Sequence, residues 1–487
     1  MNSSKGVRAA GPGCRWNKTG ARLVRSCCLW GGVFLLCLLA NSVVSAQQPS
    51  PAVPLTIAQA VDDALRNYPS VQVSQEQVNA AAAEIRLART AYLPAIDTVA
   101  QVNRSTSNNA FGLQLPQSVL PSITAPAAGT NNLSTAWGSA VGTLITWEPF
   151  DFGLRHANVN ISSALKAQSQ ATLKRTQFEV AVATADAHLT LAAAEETVKA
   201  GQAAVDRSEV ILRTTKALVA AELRPGADES RAEAELAAAR TMLIQAQQAV
   251  ETARANLARF TGLEPGQILI AAPRASDLPP EVPFAPPDPG VHPAAVEQVA
   301  VTAVAQDELR ALERSYFPRF FVQGLASALG TGYGANGRPL GGANGLAPTV
   351  QNYAIGLTVT FGVMDRPAIE AREEQQLAII RAESARSRQI ATDLRAQWNV
   401  AVATVRGARA VAANVPVELA AAQAATRQAS ARYEAGLGTI DAVAEAQRLL
   451  TQAEIDNALA RLGIWRGLLE VATAAGDLQP FLHEASQ

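Results

Sequence analysis

The sequence predicts a mainly α-helical chain that also supplies strands to a transmembrane β-barrel, and three observations predict it. Residues 155–223 contain no proline and one glycine, Gly201, among residues that mostly favour helix. The chain contains one structural unit twice. Two segments, 105–147 and 321–364, are almost free of charge and are bordered by runs in which apolar residues alternate with polar or small ones. Together these features predict long helical hairpins joined to strands.

The N-terminus predicts a secretory signal peptide over residues 1–46. This segment carries basic residues and no acid, then an apolar run over 29–40, and it ends in Val-Ser-Ala at residue 46. Two alternatives stay open. One is an uncleaved anchor helix, for which the apolar run is short of the ~20 residues that a span needs. The other is a lipoprotein signal through Cys37, which follows Leu36 where such signals have a small residue.

The composition of the mature chain excludes several classes of protein. All four cysteines lie in the predicted signal peptide, which leaves no disulfide or thiol chemistry. Six of the 41 basic residues also lie there, so 35 basic residues face 42 acidic ones and the net charge is −7. An acidic chain of this kind does not favour nucleic acid as a partner. No stretch after the signal is long and apolar enough to span a bilayer as a helix.

The first structural repeat is predicted at residues 47–262. A helix over 55–91 is interrupted at Pro69, and an unbroken helix over 155–223 would be roughly 100 Å long. The pattern breaks at 224–226, and a returning helix completes a hairpin over 155–261. Apolar or small residues on that helix alternate in spacing between three and four, which predicts a coiled-coil seam. They are Leu236, Ala239, Leu243, Ala246, Val250, Ala253, Leu257 and Phe260.

A second structural repeat is predicted at residues 293–476, with its helical hairpin over 368–476. At an offset of 224 residues, Pro69, Glu84, Arg86, Tyr92 and Pro94 recur as Pro293, Glu308, Arg310, Tyr316 and Pro318. At an offset of 214, Thr146, Asp151, Leu223, Ala232 and Leu236 recur as Thr360, Asp365, Leu437, Ala446 and Leu450. The halves are therefore predicted to be one unit used twice. A proline-rich linker over 263–292, with one short strand near 267–271, joins them, and 477–487 is a C-terminal tail.

Two positions predict bends in the long helices. Pro416 interrupts the second long helix, and Gly201 lies within one position of its counterpart in the first. We expect both helices to bend at this level.

Strands are predicted near residues 95–104, 140–148, 318–327 and 353–363. Eight or nine residues at ~3.3 Å each, tilted as barrel strands are, cover about 20 Å, which is close to the apolar band of an outer-membrane barrel. Four strands cannot close a barrel, and lipid does not tolerate an open edge, so the chain is expected to oligomerise. Two copies would give eight strands and three would give twelve, and only twelve leave an open interior.

The sequence resembles the TolC family of trimeric outer-membrane efflux channels, and several short motifs carry the resemblance. They are Tyr92-Leu93-Pro94 before a strand, WEPFDFG at 147–153 after one, Arg-Tyr-Glu-Ala-Gly-Leu at 432–437, and Glu-Ala-Gln at 445–447. The resemblance covers 55–476. It implies a twelve-stranded barrel made by three chains, a helical tunnel across the periplasm, and a passive exit duct for a tripartite efflux or type I secretion system. A periplasmic adaptor and an inner-membrane transporter are the implied partners.

The resemblance also implies a closed periplasmic tip, narrowed by acidic side chains and held by a tyrosine and an arginine. Tyr433 and Glu445 match that pattern, while Gly438 occupies the arginine position and the second acid stands one residue early, as Asp441. The candidate constriction is therefore Tyr433, Asp441 and Glu445. The candidate residues for adaptor contact lie at the two hairpin tips: Pro225, Gly226, Gly436, Leu437 and Gly438.

Asp441 and Glu445 have two interpretations. A ring of these carboxylates from three chains would concentrate negative field and favour cations. The same residues also suit the solvated first turn of any helix, where acids complement the helix dipole.

Other motifs give no site. Gly332, Gly334 and Gly337 fit a dinucleotide pattern, but they stand in a predicted hairpin loop and not between a strand and a helix. The four histidines, His156, His188, His292 and His483, have no ligand spacing, so neither a metal nor a cofactor is predicted. Two alternative functions remain: a periplasmic coiled-coil scaffold or adaptor, and an envelope enzyme, for which no residue set is found. The cargo is not encoded in any motif.

Overall fold

A computed structural model describes residues 54–106, 134–270, 285–334 and 338–486. The predicted signal peptide with Cys37 and the middle of the proline-rich linker lie outside these residues. The elements in chain order are β1 (Pro54–Leu55), α1 (Ile57–Asn67), α2 (Pro69–Thr90), β2 (Ala95–Thr106), β3 (Thr135–Phe150), α3 (Leu154–Ala220), α4 (Gly226–Thr261), β4 (Leu269–Ile270), α5 (Pro293–Ser315), β5 (Arg319–Thr331), β6 (Val350–Thr360), α6 (Arg366–Glu434), α7 (Ile440–Ala475) and α8 (Gln479–Ser486).

Helices dominate the described chain, as predicted. Helix α3 has 67 residues and α6 has 69, so each extends about 100 Å at 1.5 Å per residue. Helix α4 returns along α3, and α7 returns along α6. All eight predicted seam positions of α4 are buried or half-buried, which confirms the coiled-coil seam. Within the described residues, no helix is both long and apolar enough to cross a bilayer.

Both long helices continue through the positions where bends are predicted. Gly201 is buried within α3, where a Cβ would make ordinary van der Waals contact with α4, 3.5 Å from Leu243 Cα. Pro416 lies inside α6, and the helix is assigned without a break on either side of it. The bends themselves stay a prediction.

The four longer strands form one antiparallel sheet in the order β2-β3-β5-β6. Because directly opposite residues share a face, the register sorts the side chains into two sets. One face is apolar and holds Ile96, Val141, Ile145, Trp147, Val322, Tyr353, Ile355 and Leu357. The other face is more polar and holds Asp97, Gln101, Asn103, Gln323, Ser327, Asn352 and Thr358, together with apolar side chains such as Val99, Leu144, Phe321 and Leu325. Each strand also extends beyond its predicted run at one end or both, although β5 begins one residue after the predicted start and β6 ends three residues before the predicted end.

Each long helix begins beside a tyrosine that precedes a strand. The guanidinium of Arg155 lies 4.8 Å above the ring of Tyr92, and that of Arg366 lies 5.1 Å above the ring of Tyr316. Asp151 accepts hydrogen bonds from the backbone N–H groups of Gly153 and Arg155, and it also pairs with the Arg155 side chain at 3.0 Å. These contacts fix the angle at which each long helix leaves the sheet.

The main apolar core is formed by elements from both ends of the described chain, packed on α3. Helix α1 packs with α3, α7 and α8, and Phe481 of α8 meets Trp465 of α7 edge-on at 6.2 Å. Strand β1 pairs in parallel with β4, the short strand predicted in the linker. Within the segment that the sequence marks as a C-terminal tail, residues Gln479–Ser486 form helix α8, which the sequence analysis did not predict. Eight residues are too short to show a helical period, and packing against α1 stabilises them.

Candidate functional site at the hairpin tips

The candidate site lies where the turn between α3 and α4 meets the turn between α6 and α7. Both turns have the same backbone hydrogen bonds: Leu223 N–H donates to Leu218 O at 2.9 Å, and Leu437 N–H donates to Arg432 O at 2.8 Å. This pattern is a Schellman motif, which requires a left-handed residue just before each leucine. Gly436 supplies it at φ 78° and Glu222 at φ 57°. The two leucines are left exposed, at 70% and 73%.

The five predicted tip residues occupy these two turns. Pro225 caps the start of α4, with Gly226 as its first residue. Gly436, Leu437 and Gly438 form the second turn. A Cβ at Gly438 would lie 3.2 Å from Tyr433 N and 3.3 Å from Arg432 Cβ, so the backbone is already close-packed there.

Tyr433 is the residue that joins the two hairpins. It is 3% exposed, and its hydroxyl donates to Asp228 Oδ2 at 3.0 Å. The guanidinium of Arg224 lies 4.3 Å above its ring and donates to its carbonyl oxygen through Nη2. Burial, followed by the neighbouring Asp228 carboxylate, raises the pKa of Tyr433, so the hydroxyl keeps its proton and remains a donor.

Apolar contacts support this junction from the hairpin interior. Tyr433 packs with Ala232 of α4 and with Ile440 and Val443 of α7. Partly buried side chains from α3, including Ile211 and Leu218, complete the cluster. The ring of Tyr433 is therefore held by apolar packing on one side and by a cation on another.

Further from the tips, the side chain of Arg207 on α3 contacts α7. Its guanidinium donates to both carboxylate oxygens of Glu454, at 2.9 and 2.8 Å, and to Thr451 Oγ1 at 3.0 Å. An open groove of about 550 Å³ lies between this bridge and Tyr433, with walls from α3, α6 and α7. The two hairpins are thus tied at two levels, with a groove between the ties.

The two predicted acids lie one turn apart on α7, close to the tip. Asp441 is strongly exposed and lies 3.4 Å from Arg231 of α4, while Glu445 pairs with Arg448 one turn further along α7. Exposed pairs of this kind contribute little to stability. Each acid therefore has an arginine beside it, and the structure brings neither acid into contact with Tyr433.

The other motifs do not assemble into a site. Gly332 and Gly334 lie in the loop after β5, and Gly337 lies outside the described residues. His188 and His292 are buried and each contacts a backbone carbonyl, while His156 and His483 are exposed elsewhere. Among the described residues, no group of three or more His, Cys, Asp or Glu could hold a metal ion.

Sequence reasoning identified Tyr433 but missed Arg224 and Asp228. One signal could have found them, because the 214-residue offset of the repeat places Arg224 opposite Gly438 and Asp228 opposite Ala442. The second half lacks the expected arginine at Gly438 and the expected acid at Ala442. The first half has an arginine and an acid at the equivalent positions, Arg224 and Asp228.

Comparison with known families and structures supports the resemblance inferred from the motifs. Residues 60–263 match the family model described as outer membrane efflux protein. A comparison of the sequence with curated proteins found no match.

Solved outer-membrane channels share the fold of the chain. The outer-membrane channel OprN is 21% identical over 88% of this chain and 94% of its own, with a TM-score of 0.67. The Campylobacter jejuni CmeC outer membrane channel is 15% identical over 91% and 94%, with a TM-score of 0.69. The open state of the Neisseria gonorrhoeae MtrE outer membrane channel is 17% identical over 87% and 89%, with a TM-score of 0.64. The fold of this chain is therefore that of outer-membrane channel proteins.

Proposed function

We propose, from the match of residues 60–263 to the outer membrane efflux protein family, that this chain is the outer-membrane channel component of a tripartite efflux or type I secretion system. It acts as a passive exit duct and not as an enzyme. The observation that carries the proposal is a four-stranded sheet with one mainly apolar and one more polar face, continued by two helical hairpins of about 100 Å.

The sheet supports a barrel shared between copies of the chain. Its outer strands are β2 and β6, and neither has a second neighbouring strand in the described part of the chain. On β6, Tyr353 and Ile355 are 89% and 84% exposed. In a barrel of three chains and twelve strands, β6 of one copy pairs with β2 of the next, the apolar face meets lipid, and the polar face lines the lumen.

The order of elements supports a structure made of two repeats. A helix, two strands and a long hairpin follow one another in α2, β2, β3, α3 and α4, and again in α5, β5, β6, α6 and α7. We assign residues 47–262 and 293–476 to these repeats, and 263–292 to the segment between them. Six hairpins from three chains then form the wall of a periplasmic tunnel that continues the barrel.

The tips are the proposed contact with a periplasmic adaptor, which joins the duct to an inner-membrane transporter. Leu223 and Leu437 present two equivalent apolar side chains at the end of the hairpins, beside the backbone of Pro225, Gly226 and Gly438. Exposed apolar side chains at the tip of a long hairpin are more stable when a protein partner covers them than when they face water. The junction at Tyr433 keeps the tip closed at rest, and Asp441 and Glu445 narrow it.

Purification from the outer membrane tests the proposal against the periplasmic scaffold. We expect the chain to require detergent for extraction, to migrate as a trimer before heating and as a monomer after it, and to conduct ions in planar bilayers. A water-soluble monomer released with the periplasm would contradict the channel and support the scaffold. Turnover of a substrate by the purified trimer would contradict the absence of enzyme activity.

The constriction has its own test. Replacing Asp441 and Glu445 together with alanine removes six carboxylates from a trimer, so we expect weaker block by multivalent cations and lower cation selectivity in single-channel recordings. Alanine at Glu233 and Glu235, which lie on α4 and pair with Lys216 and Arg231, is the matched control. Unchanged block in the first double variant would place the constriction elsewhere.

A further inference from the structure

We propose that Arg224 is the positioning residue that holds Tyr433 in the closed tip, in place of the missing side chain at position 438. The inference rests on the proposed channel function and concerns how that channel stays closed. Two observations carry it: the contacts of Arg224 and the equivalence of the two turns.

Arg224 contacts Tyr433 in two independent ways. Its guanidinium lies 4.3 Å above the aromatic ring, within the range of a cation–π interaction, and its Nη2 donates to the Tyr433 carbonyl oxygen. Asp228, one helical turn further along the first hairpin, accepts the hydroxyl proton of the same tyrosine at 3.0 Å. Ring, carbonyl and hydroxyl of one residue of α6 are therefore all held by side chains of the first hairpin.

The two turns are equivalent, so the location of the cation can be compared between them. Both have the Schellman hydrogen bonds, and the left-handed residues Glu222 and Gly436 lie 214 positions apart. The same offset pairs Arg224 with Gly438. The chain thus has an arginine at this position of the first turn and a glycine at the same position of the second.

The turn around Gly438 leaves little room for a side chain. A Cβ at this position would lie 3.2 Å from Tyr433 N and 3.3 Å from Arg432 Cβ, closer than most side chains approach their neighbours. Other cations of the tip are paired with acids: Lys216 with Glu233, and Arg231 with Glu235 and Asp441. Arg224 is the cation that the geometry assigns to Tyr433.

This arrangement has a mechanical consequence. Arg224 and Tyr433 belong to different hairpins of the same chain, so each copy holds its own tip. Opening requires the α6–α7 turn to separate from the α3–α4 turn, which removes the guanidinium from the ring and from the carbonyl together. The Arg207–Glu454 bridge lies higher along the same two hairpins and remains as a pivot.

Single-channel conductance of the purified trimer in planar bilayers tests the inference. The variants are Arg224→Ala, Arg224→Gln, Arg224→Lys and Tyr433→Phe. The control is Arg432→Ala, which removes an exposed arginine from the residue next to Tyr433. We expect Ala and Gln at 224 to raise conductance several-fold, Lys to give an intermediate value because it keeps the charge but not the planar stack, and the control to match the wild type.

A double variant separates positioning from general destabilisation. Tyr433→Phe keeps the ring under Arg224 and loses the hydroxyl bond to Asp228, so on its own it should open the tip partly. Because both residues act on one junction, Arg224→Ala combined with Tyr433→Phe should increase conductance by less than the product of the single effects. Melting of the trimer, followed by circular dichroism, should change by no more in Arg224→Gln than in the control.

The outcomes distinguish the inference from the function on which it rests. If Tyr433→Phe raises conductance while Ala and Gln at 224 match the wild type, the channel stands and the role of Arg224 is overturned. If Arg432→Ala raises conductance as much as Arg224→Ala, general loss of positive charge explains the effect and the inference is again overturned. If no protein conducts, including the double variant Arg224→Ala with Tyr433→Phe, the proposed channel function fails and the inference fails with it.

Discussion

At the scale of single residues, His292 links the start of one helix to the end of another. Its Nδ1 accepts a hydrogen bond from Ala294 N–H at the start of α5, and its Nε2 donates to Thr473 O at the end of α7, both at 3.1 Å. Only the neutral imidazole can make both bonds, because the protonated ring has no acceptor. Phe178 packs edge-on against the ring.

We predict that His292 makes stability depend on pH. Burial, and then the positive charge of Arg175, lower its pKa below the ordinary 6.5, while Thr473 O and Glu179 oppose the shift. The unfolded chain therefore binds this proton at a higher pH than the folded chain does, so stability begins to fall near pH 6.5 and continues to fall toward the lower pKa of the folded chain. His188, whose pKa burial also lowers, adds to the same trend.

Replacing His292 with asparagine tests this prediction. Asparagine still provides an acceptor for the helix start but cannot titrate. At pH 7.5 we expect a loss of about 1 kcal/mol for the missing bond to Thr473. Between pH 7.5 and pH 5 the variant should lose less stability than the wild type in urea unfolding. His156→Asn, at an exposed position, is the control, and equal pH slopes in all three proteins would contradict the prediction.

Residues at the tip show how far sequence reasoning extends at this scale. Tyr433 was predicted through a motif that surrounds it in the sequence. Arg224 was missed, because its partner lies 209 residues away and no local pattern marks it. A contact between hairpins is set by how the helices pack, and the spacing within one helix contains no information about it.

At the scale of elements, the close packing of α6 and α7 depends on one of two neighbouring glycines of α7. A Cβ at Gly467 would lie 2.8 Å from Val405 Cγ2 and 3.3 Å from the Val405 backbone on α6. One turn earlier, a Cβ at Gly463 would meet only Ala408 Cβ, at 3.9 Å. The same substitution should therefore have opposite effects at two neighbouring positions.

We predict that Gly467→Ala destabilises the chain by about 1–3 kcal/mol, since α6 and α7 must move apart or shift. Gly463→Ala should stabilise it by roughly 0.5–1 kcal/mol, because alanine favours helix over glycine and finds space. Urea unfolding of the two variants beside the wild type measures both changes. Equal effects at the two positions would mean that helix propensity alone, and not contact with Val405, decides the outcome.

Elements also differ in how well the sequence predicts them. The hairpin helices follow from composition and from the seam spacing, since long helices repeat their pattern many times. Helix α8 was missed because its eight residues contain barely two turns. Strand β3 begins at Thr135, before the predicted run near 140, because hydrogen bonds to β2 and β5 extend it through small residues such as Gly138. Pairing partners, and not local alternation, set the ends of strands.

At the scale of the whole molecule, the proposed barrel depends on which face of the sheet meets lipid. The register assigns Ile355 to the apolar face, opposite Gly324 and on the same level as Ile145 and Ile96. Thr358, three residues along the same edge strand, points to the polar face opposite Phe321. Both positions are exposed in the single chain, so they differ only in the environment that assembly provides.

A lysine placed at each position separates the two faces. Ile355→Lys would put three charges into the apolar band of a trimer, at about 2–4 kcal/mol each near the middle of a bilayer. We expect it to reduce the amount of heat-sensitive trimer recovered from the outer membrane. Thr358→Lys should assemble normally, because its three charges would face water, and should shift the channel toward anions in bilayer recordings. Assembly failure in Thr358→Lys with normal assembly in Ile355→Lys would mean that the polar face is the outer one. Normal assembly of both variants would mean that this sheet does not lie in a membrane, and the proposed duct would have no barrel to continue into.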